Sequence, residues 1–241
     1  MSPDNRQHRG PHPSDGRLFH ARQQGALRAA VRELSWLLTH GYSLKSALKL
    51  VGDRHGLTER QRLAVARAAC SEQSLEERRA RRLPVEAARG QHLIIDGFNL
   101  VITLEAALSG GLVILCRDDC LRDLSGVHGS YRSVEETERA VQMTGEALAH
   151  LGPASVRWLL DKPISNSGRL AQKVRDLAQE HAWPWTVEVV FNPDAEISAS
   201  AETVAVTSDS SILDRAARWL NFNGYLIDKY LPQAWVVDLR S

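Results

Sequence analysis

Residues 92–99 read HLIIDGFN, an apolar run that stops at an aspartate and a glycine. A short aliphatic run bounded by turn-forming residues is typical of a strand that is buried on both faces. Similar runs follow along the chain, and they read GLVIL (111–115), VRWLLD (156–161), TVEVV (186–190), TVAVT (203–207), YLID (225–228) and AWVVD (234–238). These runs predict the strands of a buried sheet.

Helical stretches separate several of these strands, and we predict helices over 133–150, 168–182 and 210–221. Fully apolar strands that alternate with helices predict a mostly parallel sheet with helices on both faces. We therefore expect an α/β fold with a three-layer, Rossmann-like architecture. A small all-α domain precedes it.

The chain divides into four parts by composition. Residues 1–22 carry Pro, Gly, His and Arg without periodicity, which predicts a disordered tail. Residues 23–72 show helical periodicity and are predicted to form a helical N-terminal domain. Residues 73–90 are charged, which predicts a helix or a linker, and residues 91–241 form the α/β domain.

Helix starts are readable within the N-terminal domain. Ser43 has the position of an N-cap, and Thr58 with Gln61 three residues later has the spacing of a capping box. Short helices with many basic residues could also form a helix-turn-helix. A small helical bundle packed on the next domain is the interpretation that we favour.

Charge is distributed unevenly along the chain. The net charge is +1, but residues 1–90 hold 17 Lys and Arg against 9 Asp and Glu, whereas residues 91–241 hold 13 against 20. A basic segment favours polyanions such as RNA, and an acidic domain favours metal cations when its carboxylates converge. Solvated charged surfaces would give the same composition.

Several function classes are disfavoured by the sequence. No apolar run has the roughly 18 residues that cross a bilayer, and the N-terminus lacks the apolar centre of a signal peptide. Cys70, Cys116 and Cys120 cannot all pair internally, so we expect a reduced, cytoplasmic location. The sequence also lacks a Walker A loop, a dinucleotide fingerprint, a hydrolase serine motif and common zinc spacings.

Three of the predicted strands end at an aspartate or directly before one. The three aspartates are Asp96, Asp161 and Asp209. The carboxyl ends of parallel strands share one edge of the sheet, where ligands bind. Clustered carboxylates repel one another unless a cation neutralises them, and oxygen ligands favour Mg²⁺ or Mn²⁺. Alternatively, Asp96 forms only a turn, Asp209 is only a helix N-cap, and Asp161 is a turn carboxylate or an ion-pair partner.

A fourth carboxylate is expected from the helix over 133–150. Ser133 and Glu136 match a capping box, and Glu138 lies four residues after Val134 and three before Val141. This spacing predicts that Glu138 faces inward, where an unpaired carboxylate is costly. A metal ion would provide its partner, and a buried ion pair would do so equally well.

Two polar loops supply candidate substrate-binding residues. The first spans 116–132, and arginines there suit phosphates while an aromatic or imidazole ring could stack on a base. The second spans 165–169 and opens a helix whose free amides could receive a phosphate. Solvated loops and ordinary serine capping are the alternatives. The candidates are Arg122, His128, Tyr131, Arg132, Ser167 and Arg169.

Together, IIDGFNLVITLEAAL, LLDKP and VTSDSSILDRA resemble the PIN-like superfamily of metal-dependent ribonucleases, and its NYN branch in particular. The resemblance covers about residues 91–230. Asp96 and Asn99 match the opening motif of that superfamily, and Thr207 with Asp209 matches the late one. Asp161 matches the middle acidic position. Ser210 and Ser211 stand where such domains often carry a further acidic residue, which implies a thinner metal site or a lost activity.

The N-terminal stretch WLLTHGYSLKSALKLVGDRHGLTERQR, with RDLSGVHGSYR and DKPISNSGRL, is similar to a bacterial and archaeal family of unknown function. In that family a short helical region precedes a PIN-like domain. The resemblance implies the architecture of this chain more directly than its activity.

The leading functional hypothesis is a nuclease that uses Mg²⁺ or Mn²⁺ to hydrolyse phosphodiester bonds, with RNA as its substrate. In this hypothesis Asp96, Asp161 and Asp209 hold the metal, Glu138 assists them, and basic side chains bind phosphates. A non-catalytic RNA-binding or regulatory module is one alternative, and a small-molecule phosphohydrolase is another. A protein partner or a homodimer is left open.

Overall fold

A computed structural model describes residues 8–125 and 131–240 of the chain. The N-terminal part is helical, and its helices are α1 (Asp15–Leu18), α2 (Ala21–Thr39), α3 (Leu44–Arg54), α4 (Glu59–Ala68) and α5 (Glu72–Arg81). Ser43 caps α3, and the side chains of Thr58 and Gln61 form the predicted capping box at the start of α4. Both predicted helix starts are therefore confirmed.

The α/β part is built on a parallel sheet. Within the described residues its strands are β1 (Arg82–Leu83), β2 (His92–Asp96), β5 (Ser155–Asp161), β6 (Trp185–Val190), β7 (Val204–Val206) and β8 (Trp219–Leu220). They are arranged in the order β1-β8-β7-β2-β5-β6, and every neighbouring pair is parallel. The predicted fold class is confirmed, and β2 occupies the centre of the sheet with β7 and β5 at its sides.

Helices cover both faces of this sheet. They are α6 (Gly97–Leu108), α7 (Glu136–Leu151), α8 (Ser167–Glu180), α9 (Pro193–Ala199), α10 (Ser210–Leu213) and α11 (Phe222–Tyr230). Leu93 and Ile95 of β2 belong to a large core with α6, α7, α8 and α11, whereas Ile94 packs with residues of α9 and α10. Because alternate residues of a strand point to opposite faces, the apolar run of β2 fills two cores.

A second, smaller sheet joins the two parts of the chain. It contains β3 (Val113–Leu115), β4 (Leu121–Asp123) and β9 (Val236–Asp238), in the order β4-β3-β9. Its residues Ile114 and Val237 share one buried core with Leu27, Val31 and other residues of the N-terminal helices. The helical region therefore packs directly on the α/β part through this sheet.

The structure corrects several predicted elements. Residues 225–228 lie inside α11 and not in a strand, because Asn221 caps a helix whose apolar residues face the core. The predicted helix over 210–221 is the single turn α10 followed by β8. Residues 82–83 belong to the sheet, so the boundary predicted at residue 91 falls inside the α/β part.

The predicted disordered tail is also ordered over its described part. Residues 15–18 form α1, and Phe19 is buried in the core of the helical region. Asp15 is buried and forms an ion pair with Arg60 of α4. A buried carboxylate with a charged partner anchors a segment whose composition alone predicts disorder.

No helix among the described residues is both long enough and apolar enough to cross a membrane.

Candidate active site at the carboxyl edge of the sheet

Asp96 lies where β2 ends and α6 begins, at the centre of the sheet edge. It is only 6% exposed. Thr207, directly after the neighbouring strand β7, donates a hydrogen bond from Oγ1 to Oδ2 of Asp96 (2.9 Å), and the backbone N–H of Asn99 donates to Oδ1 (3.4 Å). Burial raises the pKa of Asp96 to about 7, which the bond from Thr207 opposes and the charges of Asp209 and Asp194 reinforce.

Asn99 joins the start of α6 to the loop after β7. Its Oδ1 accepts hydrogen bonds from the backbone N–H (2.8 Å) and from Oγ (2.9 Å) of Ser208. Thr207 Oγ1 in turn accepts a bond from the backbone N–H of Asp209 (2.9 Å). The residues of the opening and late motifs therefore fix one another across two adjacent strands.

Asp209 is the N-cap of α10. Its Oδ1 accepts hydrogen bonds from the backbone N–H of Ser211 (2.8 Å), from Ser211 Oγ (2.7 Å) and from the backbone N–H of Ile212 (3.3 Å). The N-cap interpretation of Asp209 is therefore confirmed. The same carboxylate also acts on the pKa values of Asp96 and Asp194 by repulsion, so it belongs electrostatically to the cluster at the sheet edge.

Asp161 and Asp194 extend this cluster away from the centre of the sheet. Asp161 ends β5 and is partly exposed, and its pKa is raised by burial and by the charge of Asp194. Asp194 lies in the first turn of α9, and its pKa is raised by burial and by Asp209, against the effect of Arg215. Sequence reasoning missed Asp194, although it follows the end of β6 as the other aspartates follow their strands.

The aspartate cluster, defined as Asp96, Asp161, Asp194 and Asp209, has the donor chemistry of a cation site. Its donors are carboxylate oxygens, which suit Mg²⁺ or Mn²⁺, and their mutual repulsion is what a cation would relieve. Over residues 8–125 and 131–240, however, no three acidic, His or Cys side chains lie close enough together to hold an ion as placed. The donor chemistry fits, and a closed ligand shell is absent from the described arrangement.

A cleft of about 220 Å³ opens beside Asp209. Its walls come from the start of α6, from β4, from the loop after β7 and from α4 of the helical region. The lining includes Arg67, Asn99, Asp123, Ser208, Asp209 and Ser210. The cleft therefore lies on the boundary between the two parts of the chain, next to Asp209 of the aspartate cluster.

Comparison with known proteins places the chain in a family. The family described as Domain of unknown function (DUF5616) matches residues 85–225, and the family described as Protein of unknown function (DUF434) matches residues 26–81. This chain belongs to the DUF5616 family. The uncharacterised protein MJ0935 of Methanocaldococcus jannaschii is 31% identical over 188 residues, which cover 78% of this chain and 89% of that protein. No solved structure matches the chain significantly.

The two matched regions meet at the cleft. Arg67 comes from the region that matches DUF434, whereas Asn99 and Asp209 come from the region that matches DUF5616. The aspartate cluster lies wholly within the DUF5616 region.

Arg122, predicted to bind phosphate, is buried and already bonded. Its guanidinium donates to both carboxylate oxygens of Asp118 (2.9 and 2.6 Å), to the carbonyl oxygen of Ser208 (2.6 Å) and to that of Arg67 (3.1 Å). Burial alone would raise the pKa of Asp118, but Arg122 and Arg78 hold it well below its usual range. Arg122 therefore fixes the two walls of the cleft and is not a free phosphate ligand.

Tyr131, predicted to stack on a base, is buried against Phe98 with ring centroids 5.1 Å apart. Its hydroxyl donates to Glu105 (2.5 Å), so the prediction that it stacks on a base is wrong. Arg132 is exposed, and its carbonyl oxygen accepts a bond from Arg9 (3.1 Å). His128 lies outside the described residues.

Glu138 points to solvent and not inward. Its side chain is 57% exposed, and its carboxylate lies 3.7 Å from Nζ of Lys173. The predicted capping box at Ser133 is also wrong, because α7 begins at Glu136 with Glu135 in the N-cap position. The apolar residues of the predicted face, Val134, Val141 and Leu148, are all buried as expected. The inward carboxylate is Glu105 of α6, a residue that sequence reasoning did not select because its apolar neighbours give no sign of a buried charge.

Ser167 and Arg169 open α8, which follows β5 and so begins on the same side of the sheet as Asp161. Ser167 is buried and Arg169 is exposed. Asn166 precedes the helix with a left-handed backbone (φ 66°), and its Nδ2 donates to the carbonyl oxygen of Tyr131 (2.7 Å). A role of Arg169 toward phosphate remains a prediction.

Proposed function

We propose that this protein is a nuclease that uses Mg²⁺ or Mn²⁺ to hydrolyse phosphodiester bonds in RNA. The supporting observation is the aspartate cluster at the carboxyl edge of the sheet, in which Asp209 and Asp194 both raise the pKa of the buried Asp96. Unbalanced carboxylates at this edge are what a cation site requires before its cation binds. The resemblance of these motifs to PIN-like ribonucleases supports the same proposal.

Asp96 and Asp209 would hold the cation, because they are linked through Thr207 and repel each other at the site. When bound, a divalent ion would lower the pKa of a water molecule and neutralise charge on the phosphoryl group. Thr207 keeps Oδ2 of Asp96 oriented, and the backbone N–H of Asn99 does the same for Oδ1.

The remaining residues of the site would accept a proton from the attacking water and bind the substrate. Asp161 is partly exposed with a raised pKa, which suits a general base that takes a proton from the attacking water. The oxygen of that water would form a bond to phosphorus while the bond from phosphorus to the leaving ribose oxygen breaks, and the leaving oxygen would take a proton from solvent water. The 220 Å³ cleft beside Asp209 would hold the neighbouring part of the strand.

Cleavage of end-labelled RNA in Mg²⁺ or Mn²⁺ tests the proposal. We expect wild-type protein to cut the RNA, and Asp96→Asn and Asp209→Asn each to lower the rate by at least a hundredfold. Asp176→Asn is the matched control, because Asp176 is exposed on α8 and bonded to Gln172. Intact RNA with the wild type, or equal cleavage by wild type and Asp96→Asn, would refute the proposal.

A non-catalytic RNA-binding module is the second candidate. It is favoured by the lack of a three-ligand group among the described residues and by Ser210 and Ser211, which stand where PIN domains often carry an acid. This candidate predicts RNA binding without cleavage and without thermal stabilisation by Mg²⁺. Activity on nucleotides or phosphate esters with RNA left intact would instead indicate a small-molecule phosphohydrolase.

A further inference from the structure

We propose that Arg67, on helix α4 of the helical region, binds a phosphate of the RNA strand in the cleft beside Asp209. The helical region would then form part of the substrate site. This inference rests on the proposed function for the identity of the polyanion. It assigns to Arg67 the role that the sequence suggests for Arg122.

The backbone of Arg67 is fixed to the site by Arg122. One guanidinium nitrogen of Arg122 donates to the carbonyl oxygen of Arg67 (3.1 Å), and Nε of the same group donates to the carbonyl oxygen of Ser208 (2.6 Å). Ser208 immediately precedes Asp209. A single buried guanidinium therefore holds α4 and the Asp209 loop in a constant relation, which is the preorganisation that a binding site requires.

The side chain of Arg67 is the more accessible cation of the cleft. Of the two arginines that line it among the described residues, Arg67 has a side chain that is 30% exposed, whereas that of Arg122 is 8% exposed. Arg67 donates to the carbonyl oxygen of Asp123 and lies 3.6 Å from its carboxylate. These contacts orient the guanidinium while part of its donor edge remains open to the cleft.

Two further donors line the cleft beside Arg67. The carboxylate of Asp123 also lies on this side, where it accepts hydrogen bonds from Thr103 Oγ1 and from the backbone N–H of Ser125. The amide oxygen of Asn99 is used by Ser208, so the group that Asn99 can still offer is its NH₂ donor. Ser210 adds a hydroxyl donor. Asp209 also lines the cleft and repels a phosphate, so the bound phosphate belongs near the guanidinium of Arg67 and is a neighbour of the bond to be cut.

Binding of a fluorescent single-stranded RNA in EDTA tests this role without cleavage or metal. We expect Arg67→Ala to weaken binding roughly tenfold at low salt, with a plot of log affinity against log salt that is shallower by about 0.7. Arg67→Lys should retain most of the affinity because it keeps the charge. Arg79→Ala is the matched control, since Arg79 is an exposed arginine of the neighbouring helix α5.

Thermal melting of each variant shows whether a loss of binding reflects unfolding. The inference is overturned if folded Arg67→Ala binds like the wild type, if Arg79→Ala weakens binding as much, or if the wild type does not bind RNA. Cleavage is scored separately. Binding that depends on Arg67, with no cleavage by the wild type, supports the inference and refutes the nuclease. Cleavage that is lost in Asp96→Asn, together with cleavage and binding that are unchanged in Arg67→Ala, supports the nuclease and refutes the role of Arg67.

Discussion

Thr207 donates a hydrogen bond to Asp96 across 2.9 Å, and this contact joins the ends of the two adjacent strands β7 and β2. Asp96 is buried and its pKa is raised to about 7. The hydrogen bonds to its carboxylate therefore do not fully offset the cost of burying the negative charge. Burial and repulsion from Asp209 and Asp194 oppose ionisation, whereas Thr207 favours it. The contact therefore favours the ionised form of the central carboxylate, against the larger effect of burial.

The raised pKa of Asp96 predicts how stability depends on pH. The pKa of this aspartate is 3.8 in the unfolded chain and about 7 in the folded chain. The free energy of unfolding of the protein therefore decreases as pH rises between these two values, because the folded state binds the proton more tightly. In EDTA, Asp96→Asn should therefore be more stable than wild type at pH 8, on the order of 4 kcal/mol, with the gap closing toward pH 4. Urea denaturation at several pH values measures this. A gap that is independent of pH would contradict it.

Replacing Thr207 changes the same equilibrium in a defined direction. Thr207→Val removes a hydrogen bond to the ionised form of Asp96, so the pKa of Asp96 should rise further, moving its titration upward by about one pH unit. Thr207→Ser keeps the hydroxyl and should titrate like the wild type. ¹³C-NMR of labelled aspartate carboxyl groups measures this directly. An unchanged titration in the valine variant would show that the hydrogen bond has little influence.

The strand ends of this site can be predicted from the sequence, because a short apolar run followed by turn-forming residues marks where a buried strand ends. HLIID is an apolar run that ends at a turn, so the sequence locates β2 and Asp96 together. Asp194 follows β6 in the same way, but Asn192 and Pro193 give that segment the appearance of a plain loop. The sheet topology, and not the local sequence, brings Asp194 to the electrostatic environment of Asp209.

Which polar and charged side chains are buried cannot be predicted from the local sequence, because their burial depends on hydrogen-bond partners far away in the chain. Arg122 bonds to Ser208, 86 positions away, and Tyr131 bonds to Glu105, 26 positions away. Neither pairing leaves a periodic signal. Glu138 is misplaced for a different reason. The buried face of α7 runs through Thr137, Val141, Thr144 and Leu148, and Glu138 lies about 100° around the helix from Thr137, on the side that faces solvent.

Arg9 should be a strong determinant of stability. It forms an ion pair with the fully buried Glu105, whose remaining partners include the hydroxyls of Tyr131 and Thr137 (2.5 Å each). Arg9→Ala leaves this carboxylate without its cation, which should cost about 3 kcal/mol at pH 8. Because burial already raises the pKa of Glu105, the cost should fall as pH decreases and the carboxylate becomes protonated.

Denaturation of a small set of variants distinguishes this effect from general damage to the N-terminal segment. Arg17→Ala is the control, since Arg17 is exposed in the same segment, and it should change stability by less than about 0.5 kcal/mol. The double variant Arg9→Met with Glu105→Gln should recover much of the loss. A cost for Arg9→Ala that is the same at pH 5 and pH 8 would argue against an unpaired carboxylate as its cause.

Gly145 should resist replacement even though it lies inside helix α7. A Cβ at this position would overlap the six-membered ring of Trp183, which stacks between His181 and Trp185 at centroid distances of 4.6 and 4.7 Å. Alanine favours a helix over glycine by about 1 kcal/mol, but displacing a packed indole costs about 1–3 kcal/mol. Gly145→Ala should therefore destabilise the protein and change its near-ultraviolet circular dichroism. Gly168→Ala provides the contrast, since a Cβ added there would meet no atom within 4 Å, and it should be neutral or slightly stabilising. If urea denaturation gave the two variants the same free energy of unfolding, the Trp183 ring would be shown to move aside at no cost.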